Sequence, residues 1–478
     1  MWIMDKIKNL FGLQIPESID KLRFFELEIM RWKASQARRE ALDGDRYYEG
    51  GHDIMRRKRT VIGQGGELEE VTNLPNNRII DNQYKKMVNQ KANYLLSKPV
   101  TFETGNYAMD SELKALFNRQ FLNRLKSGGI DAMNGGLFWF YVYYDEQGNL
   151  SFQKFKPFEV LPFWKDTEHT QLDCAIRVYP MEVYEGQTLK VIEKVEIYTT
   201  EGIDYYQLEN NRLIPDGTEP HKEYMYFEGK GLNWERIPLV AFKYNDRELP
   251  LIRNVKGLQD ALNVMLSDLM NNMQEDSRNT ILIIKNYDGQ NLADFRKNLA
   301  AYGAVKVRTV DGGDGGVEAL SVEVNAQNYE LVLKTIKKAI IENAMGYDAK
   351  DDRIGSNANM MNLKSMYSDI ELDTDNMESE FQASFEQLLW FVKQYFKTTG
   401  KGDLGEVRIT FNRDIMVNET EVIDNLTKLG VQLPNEILVG QVPFVDDVAK
   451  VMEMLKKERE ENMEYNDGAF PNQGNENE

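Results

Sequence analysis

The sequence predicts an α+β fold assembled from several parts, and three observations carry that expectation. Apolar residues recur at alternating spacings of three and four in the first 125 residues and again after residue 250. Between Gly135 and Asn245 the period shortens to two. One helical pattern, from Met360 to about Lys397, runs on through a single weak turn near Thr374, and at 1.5 Å per residue it would be roughly 57 Å long. With 478 residues and 42% hydrophobic content, the chain is long enough for several domains or one elongated subunit with real cores.

In chain order, Met1 to Leu13 is apolar and basic but lacks a long apolar core and a small-residue cleavage site, which argues against a signal peptide. Ile19 to Leu42 reads as one helix, with Leu22, Phe25, Ile29, Trp32 and Ala37 as a partial stripe. Arg56 to Arg59 are four consecutive basic residues, open to two readings: a solvated loop, or contact with a partner or nucleic acid. Arg78 to Leu96 reads as a second helix, stopped by Ser97-Lys98-Pro99, and Asp110 to Leu125 as a third. Leu137 to Tyr144 is then an aromatic-rich strand, turned by Asp145 to Asn149 into Leu150 to Phe155. Further strands are expected at Ala175–Tyr179, Val191–Tyr198, Tyr205–Leu208 and Leu239–Tyr244, making a β-rich domain of its own. Its aromatic residues read as core and edges, with a sugar or nucleotide platform as the sharper alternative.

Helix Asn254–Arg278 carries Val255, Leu258, Leu262, Met265 and Leu269 on one face, and helix Gln327–Met345, with Val332, Ile336 and Ile340, is its natural partner. Between them Thr280 to Val324 reads as a small module. A strand at Ile281–Ile284, a short helix through Leu292, Phe295 and Leu299, and strands at Ala304–Val310 and Leu320–Val324 flank the turn Asp311-Gly-Gly-Asp-Gly-Gly316. Gly346 to Asn357 is a polar loop with glycines near its ends. The long helix that follows has seven carboxylates and no Lys or Arg between Asp369 and Glu386, suggesting an outer face that meets water or a neighbouring subunit. Val407–Phe411 is a strand, Glu419–Leu429 and Val445 to about Glu460 are helices, and the acidic, apolar-poor tail to Glu478 is expected to be disordered.

Much chemistry is excluded. The formal charge of −19 argues against general adhesion to nucleic acid or anionic membrane, though not against enclosing DNA without gripping it. The single Cys174 rules out a disulfide framework and fits a reducing compartment, and no segment approaches the ~18 consecutive apolar residues of a membrane span, so a soluble intracellular product is expected. His52, His169 and His221 lack metal-ligand spacing. There is no phosphate-cradling Gly-x-x-x-x-Gly-Lys-Ser/Thr run, and the glycines at 63–66 and 311–316 do not sit between a strand and a helix as a dinucleotide site requires. No cofactor and no catalytic group is expected. A two-carboxylate mechanism stays unsupported.

Four segments carry a resemblance: Tyr47-Tyr-Glu-Gly-Gly-His-Asp-Ile54, Asn77-Arg-Ile-Ile-Asp-Asn-Gln-Tyr84, Val88-Asn-Gln-Lys-Ala-Asn-Tyr-Leu-Leu-Ser-Lys-Pro-Val-Thr-Phe102 and Asn412-Arg-Asp-Ile-Met-Val-Asn-Glu419. In kind and order they resemble the portal proteins of tailed bacteriophages, the siphophage type of Gram-positive hosts, from about Asp45 to Glu460. The resemblance implies an elongated, non-enzymatic subunit that forms a ring of about twelve copies at one capsid vertex. Double-stranded DNA would pass through that ring during packaging and ejection. The implied partners are the terminase, the head–tail adaptor, the scaffold and the major capsid protein, with no membrane; the implied location is the virion, after assembly in the host cytoplasm. Two other readings stay open, a DNA-packaging or nuclease enzyme and a cytoplasmic helical scaffold protein.

Carried onto this chain, the resemblance implies an N-terminal wing region at 1–250, β-rich over 135–245. It implies a first stem helix at 251–279, a clip at 280–325, a second stem helix at 326–345 and a tunnel loop at 346–357 hinged at Gly346 and Gly355. A long wing helix and strand at 358–417, a crown at 418–460 and the tail at 461–478 complete it. Lys334 and Lys338, four apart on one helix face, with Lys337 beside them and Lys350 and Arg353 in the loop, are the candidates to touch DNA phosphates transiently. Equally, these lysines are solvated or paired with Asp260 and Asp268 of the first stem helix.

Overall fold

The computed structural model describes residues 17–62, 66–72, 74–227, 229–276, 281–285, 316–320, 326–348 and 360–413, with short pieces at 434, 438–439, 442 and 451–458. They fall into two compact units. One comprises the chain to Gly346 together with Asp373–Asn412, the other Tyr347–Leu372 together with Arg413 onward.

The first unit opens with α1 (Glu17–Lys33) and α2 (Gln36–Tyr48), two helices where the sequence predicts one. The break is chemical: the Ser35 side chain accepts the N–H of Arg38 at 3.2 Å and caps α2. A short hairpin, β1 (Thr60–Ile62) with β2 (Leu68–Glu70), precedes α3 (Gln83–Leu96). Helix α3 starts five residues later than expected because Asn82 accepts from Lys85 N at 2.9 Å. After β3 (Thr101–Glu103), the predicted helix at 110–125 is again two, α4 (Tyr107–Leu116) and α5 (Arg119–Gly135), with Asn118 accepting from the N–H groups of Gln120 and Phe121. Helix α5 ends on Gly136 at φ +91, where a Cβ would sit 2.0 Å from the Glu248 carbonyl oxygen.

Two sheets follow. Strands β4 (Leu137–Tyr144), β5 (Leu150–Phe155) and β14 (Leu239–Lys243) form an antiparallel sheet in the order β14-β4-β5. The larger sheet runs β10-β9-β8-β7-β6, with β11 beside β9. It contains β6 (Val160–Trp164), β7 (Leu172–Glu185), β8 (Thr188–Thr199), β9 (Gly202–Glu209), β10 (Arg212–Pro215) and β11 (His221–Lys222). A small hairpin, β12 (Met225–Phe227) with β13 (Lys230–Leu232), lies between β11 and β14 in sequence. Then come α6 (Ile252–Asp276), β15 (Ile281–Lys285), β16 (Gly316–Leu320), α7 (Ala326–Asn343), α8 (Met360–Thr398) and β17 (Arg408–Thr410), which pairs with β3.

The β-rich stretch is not a separate domain, because its strands share one core with the helices. On one face of β4, Phe138, Phe140 and Val142 meet α5 and α8: Phe121 stacks on Phe140 at 5.2 Å, and Phe242 meets Phe381 and Phe385 edge-on. On the other face Trp139 stacks on Trp164 at 5.8 Å and Tyr141 meets Tyr198 at 5.4 Å, both from the larger sheet. A strand covered on both sides needs no polar alternation, which explains the run LFWFYVYY. The far face of the larger sheet, with Ile176, Val178, Val195 and Ile197, is covered by Phe25 and Ile29 of α1. The layers are thus helices, small sheet, larger sheet, helix.

Helix α8 runs unbroken through Thr374, as its helical spacing predicts. Its inner face, Met377, Phe381, Phe385, Leu388, Val392 and Phe396, is fully buried. In the second unit the Tyr347 ring packs on Tyr367 at 4.7 Å, and residues 451–458 are helical. Strand β15 matches the sequence reading, but it pairs antiparallel with Gly316–Leu320, a few residues before the strand expected at Leu320–Val324. The expected helix through Leu292, the strand at Ala304–Val310, the helix Glu419–Leu429, most of the crown and the acidic tail lie outside the described residues.

Candidate functional site

Helices α6 and α7 pack together along a narrow seam. On α7, Tyr329, Leu333 and Ile336 are half-buried and Ile340 is buried, a 4-3-4 spacing that turns one edge toward α6. Near the distal end, Asn272 Nδ2 donates to the Tyr329 hydroxyl at 3.1 Å. Ile341 is buried as well, whereas Leu331 and Val332 stand 66% and 40% exposed.

The other side of α6 is held by a line of polar residues. Gln259, Asn263, Ser267 and Asn271, spaced four apart, are completely buried. Asn271 Oδ1 accepts from Asn77 N (2.7 Å), Ser267 Oγ from Ile79 N (2.9 Å), Asn263 Oδ1 from Asp81 N (3.1 Å) and Gln259 Oε1 from Tyr84 N (3.0 Å). Two residues of extended chain advance about 6.6 Å and four helical residues about 6 Å, so the alternate N–H groups of Asn77, Ile79 and Asp81 keep step with successive turns. Residues 77–81 belong to no sheet, and the N–H groups of Asn77, Ile79 and Asp81 find these side-chain acceptors instead of a neighbouring strand. His52, also buried, closes the line through a 2.9 Å contact of its Nδ1 with Asn263 Nδ2, and burial lowers its pKa.

A charged cluster secures the base of α6. Lys256 Nζ reaches Asp53 at 2.5 Å, Asp260 at 2.9 Å and the Tyr47 hydroxyl at 3.0 Å, and Arg46 pairs with Asp53 at 2.7 Å. Burial opposes ionisation of both Asp53 and Lys256. Their mutual hydrogen bonds, with those of Arg46 and Tyr47, outweigh it, driving the Asp53 carboxyl well below and the Lys256 ammonium well above their usual ranges. Burial and Asp260 push the Tyr47 phenol up. Three of the four segments that carried the resemblance, around 47–54, 77–84 and 88–102, thus supply the socket of α6 and, in Lys91, the contact to the end of α7. The sequence signal for the polar line was the i, i+4 repeat of amides and a hydroxyl, which lay beside a more conspicuous apolar stripe.

The predicted lysines lie on α7. Lys334 pairs with Glu330 at 2.7 Å and Lys338 with Glu342 at 3.7 Å, both exposed partners on the same helix, and Lys337 pairs with Asp81 at 2.7 Å. Asp260 and Asp268 are not their partners. They face the opposite side of α6, Asp260 toward Lys256 and Tyr47, Asp268 toward Arg57 (2.8 Å) and Arg59. The basic run at 56–59 is therefore tied down in part, with Lys58 on Glu70 at 2.7 Å. Gly346 is buried, and a Cβ there would lie 2.5 Å from Met87 Sδ, so a close approach favours glycine at this position. Lys350, Arg353 and Gly355 lie outside the described residues.

Cys174, His169 and His221 are each accounted for by their surroundings. Burial pushes the Cys174 thiol up to about 12, which keeps it from acting as a nucleophile at neutral pH. His169 sits on Glu248 at 2.8 Å and His221 on Asp204 at 2.7 Å. Among the described residues no three His, Cys, Asp or Glu side chains are placed to hold a metal ion, and no helix is long and apolar enough to cross a membrane.

Comparison with known proteins gives these features a common source. The model of the family described as phage portal protein, SPP1 Gp6-like, matches residues 33–465. The portal protein of Bacillus phage SPP1 is 27% identical over 441 residues, covering 91% of this chain and 86% of that protein. The portal protein of Clostridium phage phiCD119 is 27% identical over 453 residues, 91% of this chain and 96% of its own length. The chain belongs to the SPP1 Gp6-like family of phage portal proteins.

Proposed function

We propose that this portal protein works as a ring of about twelve copies at one capsid vertex, through which double-stranded DNA is packaged and later ejected. In this reading α6 and α7 are the stem, residues 280–325 the clip that meets the terminase and then the head–tail adaptor, and residues 346–357 the tunnel loop. The layered body with α8 and β17 is the wing facing scaffold and major capsid protein, and residues 418–460 are the crown.

The observation that carries it is the exposed outer face of α7. A helix that packs on its own subunit along one side and leaves Leu331 and Val332 in water is well suited to being covered by a neighbouring copy. The acid-rich composition fits a conduit, since a channel that released many counterions would hold the strand it should pass. Lys334 and Lys338, and with them Lys337, Lys350 and Arg353, supply brief phosphate contacts that nearby carboxylates keep weak. The pairs Lys334–Glu330 and Lys338–Glu342 support this, because exposed pairs of this kind exchange partners at little cost. Negative-stain electron microscopy of the purified protein should show rings with an open axial channel. A protein that stays monomeric at every concentration tested, or assembles without a channel, would overturn the reading.

A further inference from the structure

Lys91 is fully buried on the face of α3 that also carries Met87. An ammonium there is unfavourable unless its charge and its donors are matched. Asp373 of α8 supplies the charge, and the carbonyl of Met345 accepts from Nζ at 3.2 Å. Met345 is the left-handed residue (φ 50) that ends α7. Its N–H bonds to Glu342 O at 3.0 Å and the Gly346 N–H to Ile341 O at 2.9 Å, which is a Schellman closure. The ammonium therefore also sits at the negative end of the α7 dipole. Asp373 in turn accepts from the Tyr244 hydroxyl at 2.6 Å, and burial together with that carboxylate pushes the phenol up, so it remains a donor.

Met345 and Asp373 lie at the two ends of residues 347–372, the stretch over which the first compact unit is interrupted. Both ends are bonded to one side chain. We propose that Lys91 is the positioning residue for this segment: it fixes the end of α7 and the re-entry of α8 to a common point on α3. Whatever acts on 347–372 is then borne by the body of the subunit. The consequence for DNA rests on the portal reading, in which the segment contains the tunnel loop. The clamp itself does not.

A buried pair kept only for stability makes a different prediction. Lys91→Met alone strands the Asp373 carboxylate, whereas Lys91→Met with Asp373→Asn removes both charges at similar volume and should recover stability. The double variant should melt close to the wild type. Amide exchange in peptides covering 340–348 and 373–379 should nevertheless rise about tenfold, with β4 and α5 unchanged. Lys91→Arg, which keeps the charge and the donors, should protect both ends. Tyr244→Phe, which removes only the hydroxyl on Asp373, should raise exchange at 373–379 by about threefold and provides the readout should the double variant not fold. Unaltered exchange at both ends in the double variant, or in Tyr244→Phe where that is the readout, would overturn the clamp. In assembled particles the double variant should retain packaged DNA at least about tenfold less well than the wild type. Raised exchange with normal DNA retention would leave the clamp standing and overturn its role in DNA passage, while absence of rings in the wild type would bear on the portal reading alone.

Discussion

Helices α7 and α8 carry the same kind of apolar spacing yet meet opposite surroundings. Along α8 the stripe is aromatic and disappears between the small sheet and the other helices, with Phe381, Phe385 and Phe396 fully buried. Along α7 Leu333, Ile336, Ile340 and Ile341 find partners, while Leu331 and Val332 remain outside. Periodicity reports that a face wants cover; what supplies the cover is a separate matter. For α8 the subunit supplies it, and for α7 a second copy is the cover that the portal reading provides.

That contrast can be broken at several points. The largest effect is expected in the aromatic core: Phe385→Ala should cost about 3–5 kcal/mol in denaturant unfolding, because five other rings lose their neighbour. A smaller loss, about 2–3 kcal/mol, is expected from Asn263→Ala, which strands the Asp81 N–H and the contacts of Gln259 and His52 in a buried line. Equal stability of that variant and the wild type would mean that the line is not what holds α6.

The charged cluster at the base of α6 predicts a pH signature. The Asp53 carboxyl is depressed in the folded protein, so its contribution is present above its ordinary value near 4 and is lost as pH falls below it. Asp53→Asn should therefore destabilise at pH 7, and the gap to the wild type should close in acid. A gap independent of pH would remove the electrostatic explanation.

The smallest effect on folding, within about 0.5 kcal/mol, is expected for Leu331→Glu, since that side chain is already in water. Its effect on assembly should be the reverse: a folded protein that no longer forms rings. Rings of normal yield from Leu331→Glu would show that this face of α7 is not an interface.

Much of the fold was legible, and the misses share a cause. The aromatic hairpin of β4 and β5 and the cores of α6, α7 and α8 follow from spacing alone. The three helices misread as longer or unbroken were interrupted or shortened at Ser35, Asn82 and Asn118, each a capping side chain inside a continuing apolar pattern. Period counting averages over such residues. Strand β3 was missed because it is three residues long and paired only with β17, more than 300 positions away. The site was less legible. The spacing of Lys334 and Lys338 was plain, but their partners were not, because which side of α6 Asp260 and Asp268 face is decided by Lys256, Arg57 and Tyr47. Lys91 sat within a recognised motif with no hint that its ammonium would be buried, since that depends on Asp373, which is distant in sequence.

The most direct test of the central claim is a cryo-electron-microscopy reconstruction of the assembled protein at side-chain resolution. The account predicts a closed ring in which Leu331 and Val332 of each α7 are covered by the neighbouring copy and Lys334 and Lys338 border the channel. A ring whose α7 faces outward to solvent, with another element lining the axis, would contradict it.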